Sequence, residues 1–167
     1  MSAQERIPLP WCRNCLVCGE DNPIGLRARL YKVGDSVELR WTTRIEHSGW
    51  SNVMHGGFIA TVLDEVMTWA AILGSQRPCY AADFSVRMVG TLQAGVDCVA
   101  GGRLVQARRR VFDVEGWVRG TGGHTYARAL GRYMRVPRER VPHMREEFVS
   151  TPDCLDLRHI FAPHASN

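Results

Sequence analysis

The run Asn52-Val53-Met54-His55-Gly56-Gly57-Phe58-Ile59-Ala60-Thr61-Val62-Leu63-Asp64-Glu65 decides how this chain is read. From residue 56 to 73 apolar side chains recur at three- and four-residue spacing, at Phe58, Ile59, Val62, Leu63, Val66, Met67, Trp69, Ala70 and Leu73. That period is helical. The apolar coverage runs nearly all round, which predicts a helix buried on most faces. Gly74 is expected to cap its C-terminal end, with Pro78 just beyond.

Outward from the helix the period changes to two. Residues 26–31 (Leu26-Arg27-Ala28-Arg29-Leu30) and 36–41 (Val37-Glu38-Leu39-Arg40-Trp41) alternate apolar and charged side chains, as half-buried strands do, and Gly34-Asp35 between them reads as a hairpin turn. Residues 46–55 read as a loop. After the helix, residues 81–89, 96–107, 110–119 and 124–136 read as strands, separated by glycine-bearing turns such as Gly120-Thr121-Gly122-Gly123. The proline-dotted tail holds one short helix at 138–148. Two strands, one long helix and four strands make an α+β chain in which one antiparallel sheet curls over one helix. Residues 1–167 form a single domain, with a cysteine-rich N-terminal extension at 1–25 and a C-terminal extension at 137–167.

Composition narrows the function classes. The formal net charge is only +4, and of the 21 basic residues all but Lys32 are arginine. They are spread along the chain, with Arg108-Arg109-Arg110 the one tight run, so a nucleic-acid partner is not expected. Arginine suits bidentate recognition of phosphate, which keeps a phosphorylated small ligand in view. No window reaches the roughly 18 apolar residues of a membrane span, and the polar start at 1–10 does not look like a leader. The expectation is a cytoplasmic protein whose six cysteines stay reduced.

Two features of the helix call for a chemical reason. Gly56 and Gly57 weaken a helix start, but they let a ligand approach the free N-terminal amides, which favour a partly negative oxygen. Asp64 places a carboxylate on an otherwise apolar helix, which is costly unless the group is paired or used. Gly57 and Asp64 share a face yet lie about 10 Å apart along the axis. One reacting carbonyl cannot touch both. If both serve one site, two antiparallel helices of a two-fold dimer must supply them, giving two equal sites per dimer.

The His55-Gly56-Gly57 run with an acid nine residues after the histidine resembles the hot-dog-fold acyl-CoA thioesterases of the phenylacetate-type (PaaI-like) branch. Glu46-His47-Ser48-Gly49-Trp50, Cys15-Leu16-Val17-Cys18-Gly19 and Asn22-Pro23-Ile24-Gly25-Leu26 resemble one subgroup of it. The resemblance covers about residues 15–136. It implies a hot-dog fold, a homodimer or dimer of dimers, and hydrolysis of a coenzyme A thioester without a cofactor. The Gly57 N–H would polarise the thioester carbonyl, and Asp64 would activate water or attack directly. Oxyanion stabilisation and a base are what thioester hydrolysis needs. The chain departs from the family where a threonine or serine often starts the strand after the helix: here Tyr80-Ala81-Ala82-Asp83 offers no hydroxyl before Ser85. Gly49 stands where some relatives have asparagine. Asp83 or Asn52 are the candidates to substitute.

Other residues have plainer readings beside the functional one. Glu65 points about 100° from Asp64 and reads as a salt-bridge partner before a base. His55 reads as a cap or positioning residue before a general base. Cys12, Cys15 and Cys18 have the spacing of an iron–sulfur ligand run, but Asn22 stands in the fourth place. A zinc site would need a fourth ligand from Cys79, Cys98, Cys154 or a histidine. The expectation is therefore free thiols in a tight turn and no metal. Arg108, Arg109 and Arg110 read as a solvated strand edge, or as a hold on coenzyme A phosphates. The rival functions are a hot-dog hydratase or dehydratase, whose His-Phe-Pro-Gly type of motif is missing, and a non-catalytic acyl-CoA binding module.

Overall fold

A computed structural model describes residues 5–162. Residues 1–4 of the polar start and 163–167 of the C-terminal extension lie outside them.

The elements in chain order are β1 (Arg6–Pro8), β2 (Trp11–Cys12), β3 (Leu30–Val33), β4 (Ser36–Thr42), β5 (Ser48–Trp50), β6 (Val53–Met54), α1 (Gly56–Ser75), β7 (Cys79–Met88), β8 (Asp97–Ala107), β9 (Val111–Gly120), β10 (Thr125–Arg135), α2 (Val141–Glu146) and β11 (Phe148–Val149). One seven-stranded sheet runs β1-β3-β4-β8-β9-β10-β7, antiparallel at every pairing. It wraps around α1, which packs on β4, β7, β8, β9 and β10. The α+β architecture of one long helix under a curled antiparallel sheet is as the sequence implied.

Alternation decides which side chains meet the helix. On β9, Phe112, Val114, Gly116 and Val118 face inward, and on β10 Ala127, Ala129 and Tyr133 do so. The helix answers with Ile59, Val62, Leu63, Val66, Met67, Ala70 and Ala71, all buried. By length and apolarity alone α1 could cross a membrane, contrary to the sequence expectation. Here the sheet takes the place of lipid and covers it.

Several sequence expectations need correction. Residues 26–29 are not strand. Arg27 takes a left-handed backbone (φ 52°), and the amides of Leu26 and Ala28 bond to the carbonyls of Leu16 and Val17 (both 2.9 Å). The cysteine-rich loop thus takes the backbone bonds a strand would have used. The loop expected at 46–55 holds a small β5–β6 hairpin turned at Ser51 and Asn52, both left-handed. Gly74 does not cap α1; Gln76 does, in the left-handed conformation, its N–H on Ile72 O. Gly74 is small for another reason: a Cβ there would lie 2.6 Å from the Leu104 side chain. The tail helix is shorter than 138–148, and the chain then forms β11, which pairs with β2.

Candidate active site

The helix start is closed by its own histidine. His55 is the N-cap residue, and its Nδ1 accepts a hydrogen bond from Gly57 N–H at 2.9 Å. The acceptor must be an unprotonated nitrogen, so the proton sits on Nε2. His55 O takes the amides of Phe58 (2.9 Å) and Ile59 (3.2 Å). The Gly57 N–H expected to be free therefore already has a partner, because the side chain two residues earlier folds back over it. A Cβ at Gly57 would lie 3.0 Å from that Nδ1, so the residue must stay small for the cap to form. His47 stacks on Phe58 (3.9 Å between centroids) and holds His55 N–H through its carbonyl. Met88 reaches over Gly56 from the edge strand β7.

Two turns along α1, Asp64 is half-buried. Tyr133, a fully buried residue of β10, donates its hydroxyl to Asp64 Oδ1 at 3.1 Å. Burial pushes the Asp64 carboxyl above the ordinary aspartate range, and the Tyr133 hydrogen bond opposes this in part. Burial and the Asp64 charge push the Tyr133 phenol up. Thr68, one helical turn after Asp64, acts the other way on the same phenol and draws it down in part. Sequence reasoning missed Tyr133 and Thr68. The four-residue spacing from Asp64 could have pointed to Thr68, but nothing local marks Tyr133, which comes from a strand 69 residues on.

Tyr133→Phe is expected to move the acid limb of any pH–rate profile that reports Asp64 upward, because it removes a donor that favours the carboxylate. A limb that stays put or moves down sinks this role for Tyr133.

The remaining candidates are dispersed. Glu65 is not a salt-bridge partner. It lies against the cysteine-rich loop, accepting from Cys15 Sγ (3.4 Å) and Trp69 Nε1 (3.3 Å). Asp83 pairs in register with Arg132 and meets its guanidinium at 3.7 Å, on the sheet face opposite Tyr133 and Asp64. Asn52 sits at the exposed hairpin turn, its carbonyl taking Ala94 N–H (3.1 Å). A turn does gather Arg108, Arg109 and Arg110, which line one shallow depression with Arg132. Arg108 pairs with Asp113 at 3.2 Å. This turn lies by the C-terminal end of α1, since Arg110 O accepts from Arg135 N–H and Pro78 O from Val136 N–H. Gly57 is about 27 Å away along the helix.

The same arrangement of strands and helix occurs in solved structures. A thioesterase superfamily protein matches at 24% identity with a TM-score of 0.67. The match covers 73% of this chain and 60% of that one, so this chain spans less than two thirds of its length. The E. coli PaaI protein from the phenylacetic acid degradation operon matches at 15% identity and TM-score 0.60, over 67% of this chain and 81% of the other. This is a hot-dog fold. A third hot-dog structure, a Streptococcus mutans protein bound to acetyl CoA, matches at 17% identity and TM-score 0.58, over 61% of this chain and 82% of its own. No protein-family model and no curated relative matches the sequence.

Proposed function

We propose that this hot-dog chain is an acyl-CoA thioesterase that works as a homo-oligomer. The observation that carries the reading is Asp64: a half-buried carboxylate held by a phenol, with no cationic partner among the described residues. Such a group is poised as a base rather than as a structural ion. In the proposed reaction Asp64 takes a proton from water while the water oxygen bonds to the thioester carbonyl carbon. The C–S bond then breaks, the carboxylic acid forms, and the sulfur leaves and is protonated to free coenzyme A. The acetyl CoA held by the Streptococcus mutans neighbour supports the substrate class.

For Gly57 to polarise the carbonyl, the thioester oxygen must replace His55 Nδ1 on its N–H. The imidazole swings aside, and one good acceptor is exchanged for another. The spacing of Gly57 and Asp64 supports two chains per site. The edge strand β7 supports it too: it is paired on one side only and exposes Tyr80 and Met88. A second copy paired there would bring two α1 helices side by side. The arginine turn is retained as a phosphate contact from whichever chain presents it.

The test is thiol release across short, long and aromatic acyl-CoAs. Turnover of any of them supports hydrolysis, and a change in enoyl absorbance without thiol supports a hydratase. The His55 cap favours one alternative, a binding module whose oxyanion amide is permanently filled. Binding without turnover across the panel would establish that alternative. Full activity in a monomeric form would remove the two-chain site.

A further inference from the structure

Cys15, Cys18 and Glu65 carry no part of the proposed hydrolysis, yet their ligand atoms all lie within 4.8 Å of one another. We propose that they form a binding site for a thiophilic divalent cation, zinc above all, which clamps the N-terminal loop onto α1 one residue beyond Asp64. The further ligand that the cysteine spacing lacked comes from none of Cys79, Cys98 or Cys154. It is a helix carboxylate, 50 residues away in sequence, that only the fold brings in.

Three features fit the chemistry. The Cys15 Sγ to Glu65 Oε2 separation is 3.4 Å. Zinc–sulfur and zinc–oxygen bonds at a tetrahedral angle require about 3.5 Å between such ligands. Backbone amides point at both sulfurs: Val17 N–H donates to Cys15 Sγ (3.3 Å), and Cys12 N–H to Cys18 Sγ (3.4 Å). The loop between them is a tight knuckle closed by Gly19 N–H on Cys15 O (3.0 Å). Only glycine fits there, because a Cβ would lie 2.5 Å from Cys15 N and O. Cys12 is not among the residues whose ligand atoms cluster here, so the tetrahedron's fourth corner would fall to a water.

Without a cation this cluster is an expensive arrangement. Glu65 accepts from Cys15 Sγ and Trp69 Nε1 and has no cationic partner among the described residues, so its carboxylate beside two sulfurs is costly unless a cation neutralises it. Binding releases the thiol protons, and any carboxyl proton, to solvent as sulfur–metal and oxygen–metal bonds form.

Tag-free full-length protein, kept under a non-thiol reductant, should carry about one zinc per chain as purified. After stripping, it should bind cobalt(II) with thiolate charge-transfer and tetrahedral d–d bands. Cys15→Ser and Cys18→Ser should each weaken binding by more than the roughly 10–100-fold that loss of an outer-shell partner costs. Glu65→Gln should weaken it at least tenfold, and Cys154→Ser should leave it unchanged. A readout without variants covers the case in which a substitution prevents folding: stoichiometric zinc should protect Cys15 and Cys18 of the wild-type protein from alkylation, mapped by peptide. Wild-type binding no tighter than that of Cys15→Ser, no protection by zinc, or full affinity in folded Glu65→Gln would each overturn the site.

Discussion

Asp64→Asn is expected to lower kcat for the proposed acyl-CoA hydrolysis by about 10²–10⁴-fold, the range a positioned base contributes, and to leave the protein at least as stable as before. The amide is nearly the same size as the carboxylate, and its oxygen still accepts from the Tyr133 hydroxyl. What disappears is the charge. Burial raises the Asp64 pKa in the folded chain above its unfolded value. Its stabilising contribution is therefore full below the unfolded pKa and is lost as pH rises through the folded one. At neutral pH the ionised group costs stability, and asparagine removes that cost. Activity and Tm should move apart: thiol release collapses while Tm holds or rises. A structural acid behaves in the opposite way, losing Tm and keeping turnover. Thiol release within twofold of wild type, from a folded Asp64→Asn protein, would remove Asp64 as the base.

The second large effect is on stability, where a strand meets the backbone of the helix. Gly102 of β8 faces α1, and a Cβ there would lie 2.7 Å from Val66 O and 3.0 Å from Met67 N. Those atoms are helix backbone and cannot turn aside. Gly102→Ala must push β8 away from α1, at a cost of about 3 kcal/mol, or roughly 6–12 °C in Tm for a chain of this size. Gly116 on the neighbouring strand makes the contrast. Its Cβ would meet Met67 Sδ at 2.6 Å, but a thioether side chain has other rotamers. Gly116→Ala should cost less than about 1.5 kcal/mol. Thermal melts of the two variants check the order, and equal or reversed losses would show that the helix–sheet contact is softer than described.

These two positions mark how far the sequence could be read. The periodicity around Val62, Val66 and Met67 announced a buried helix, and the alternation on β4, β9 and β10 announced its cover. Local pattern suffices there because each residue reports its own burial. Gly74 could be read only as a cap signal and Gly102 only as one position of a strand, since the atoms that demand glycine belong to another element. The site divides in the same way. Asp64 stood out as a charge on an apolar stripe. Tyr133 did not, because a strand tyrosine with a buried hydroxyl has the same local signature as any core tyrosine.

The sequence by itself determined the class of fold, the long wrapped helix and the two helix features, glycine start and acid, around which a thioester reading forms. Those are properties of short windows, set by side-chain period and by the cost of burying a charge. Only the tertiary structure decided what those groups touch: His55 Nδ1 on the Gly57 amide, Tyr133 on Asp64, and the Cys15–Cys18 knuckle against Glu65. Each of the latter two pairings joins residues dozens of positions apart, and His55 reaches Gly57 only in the bend that precedes the helix. Hydrogen-bond geometry of that kind follows from the packed backbone, which no local pattern specifies.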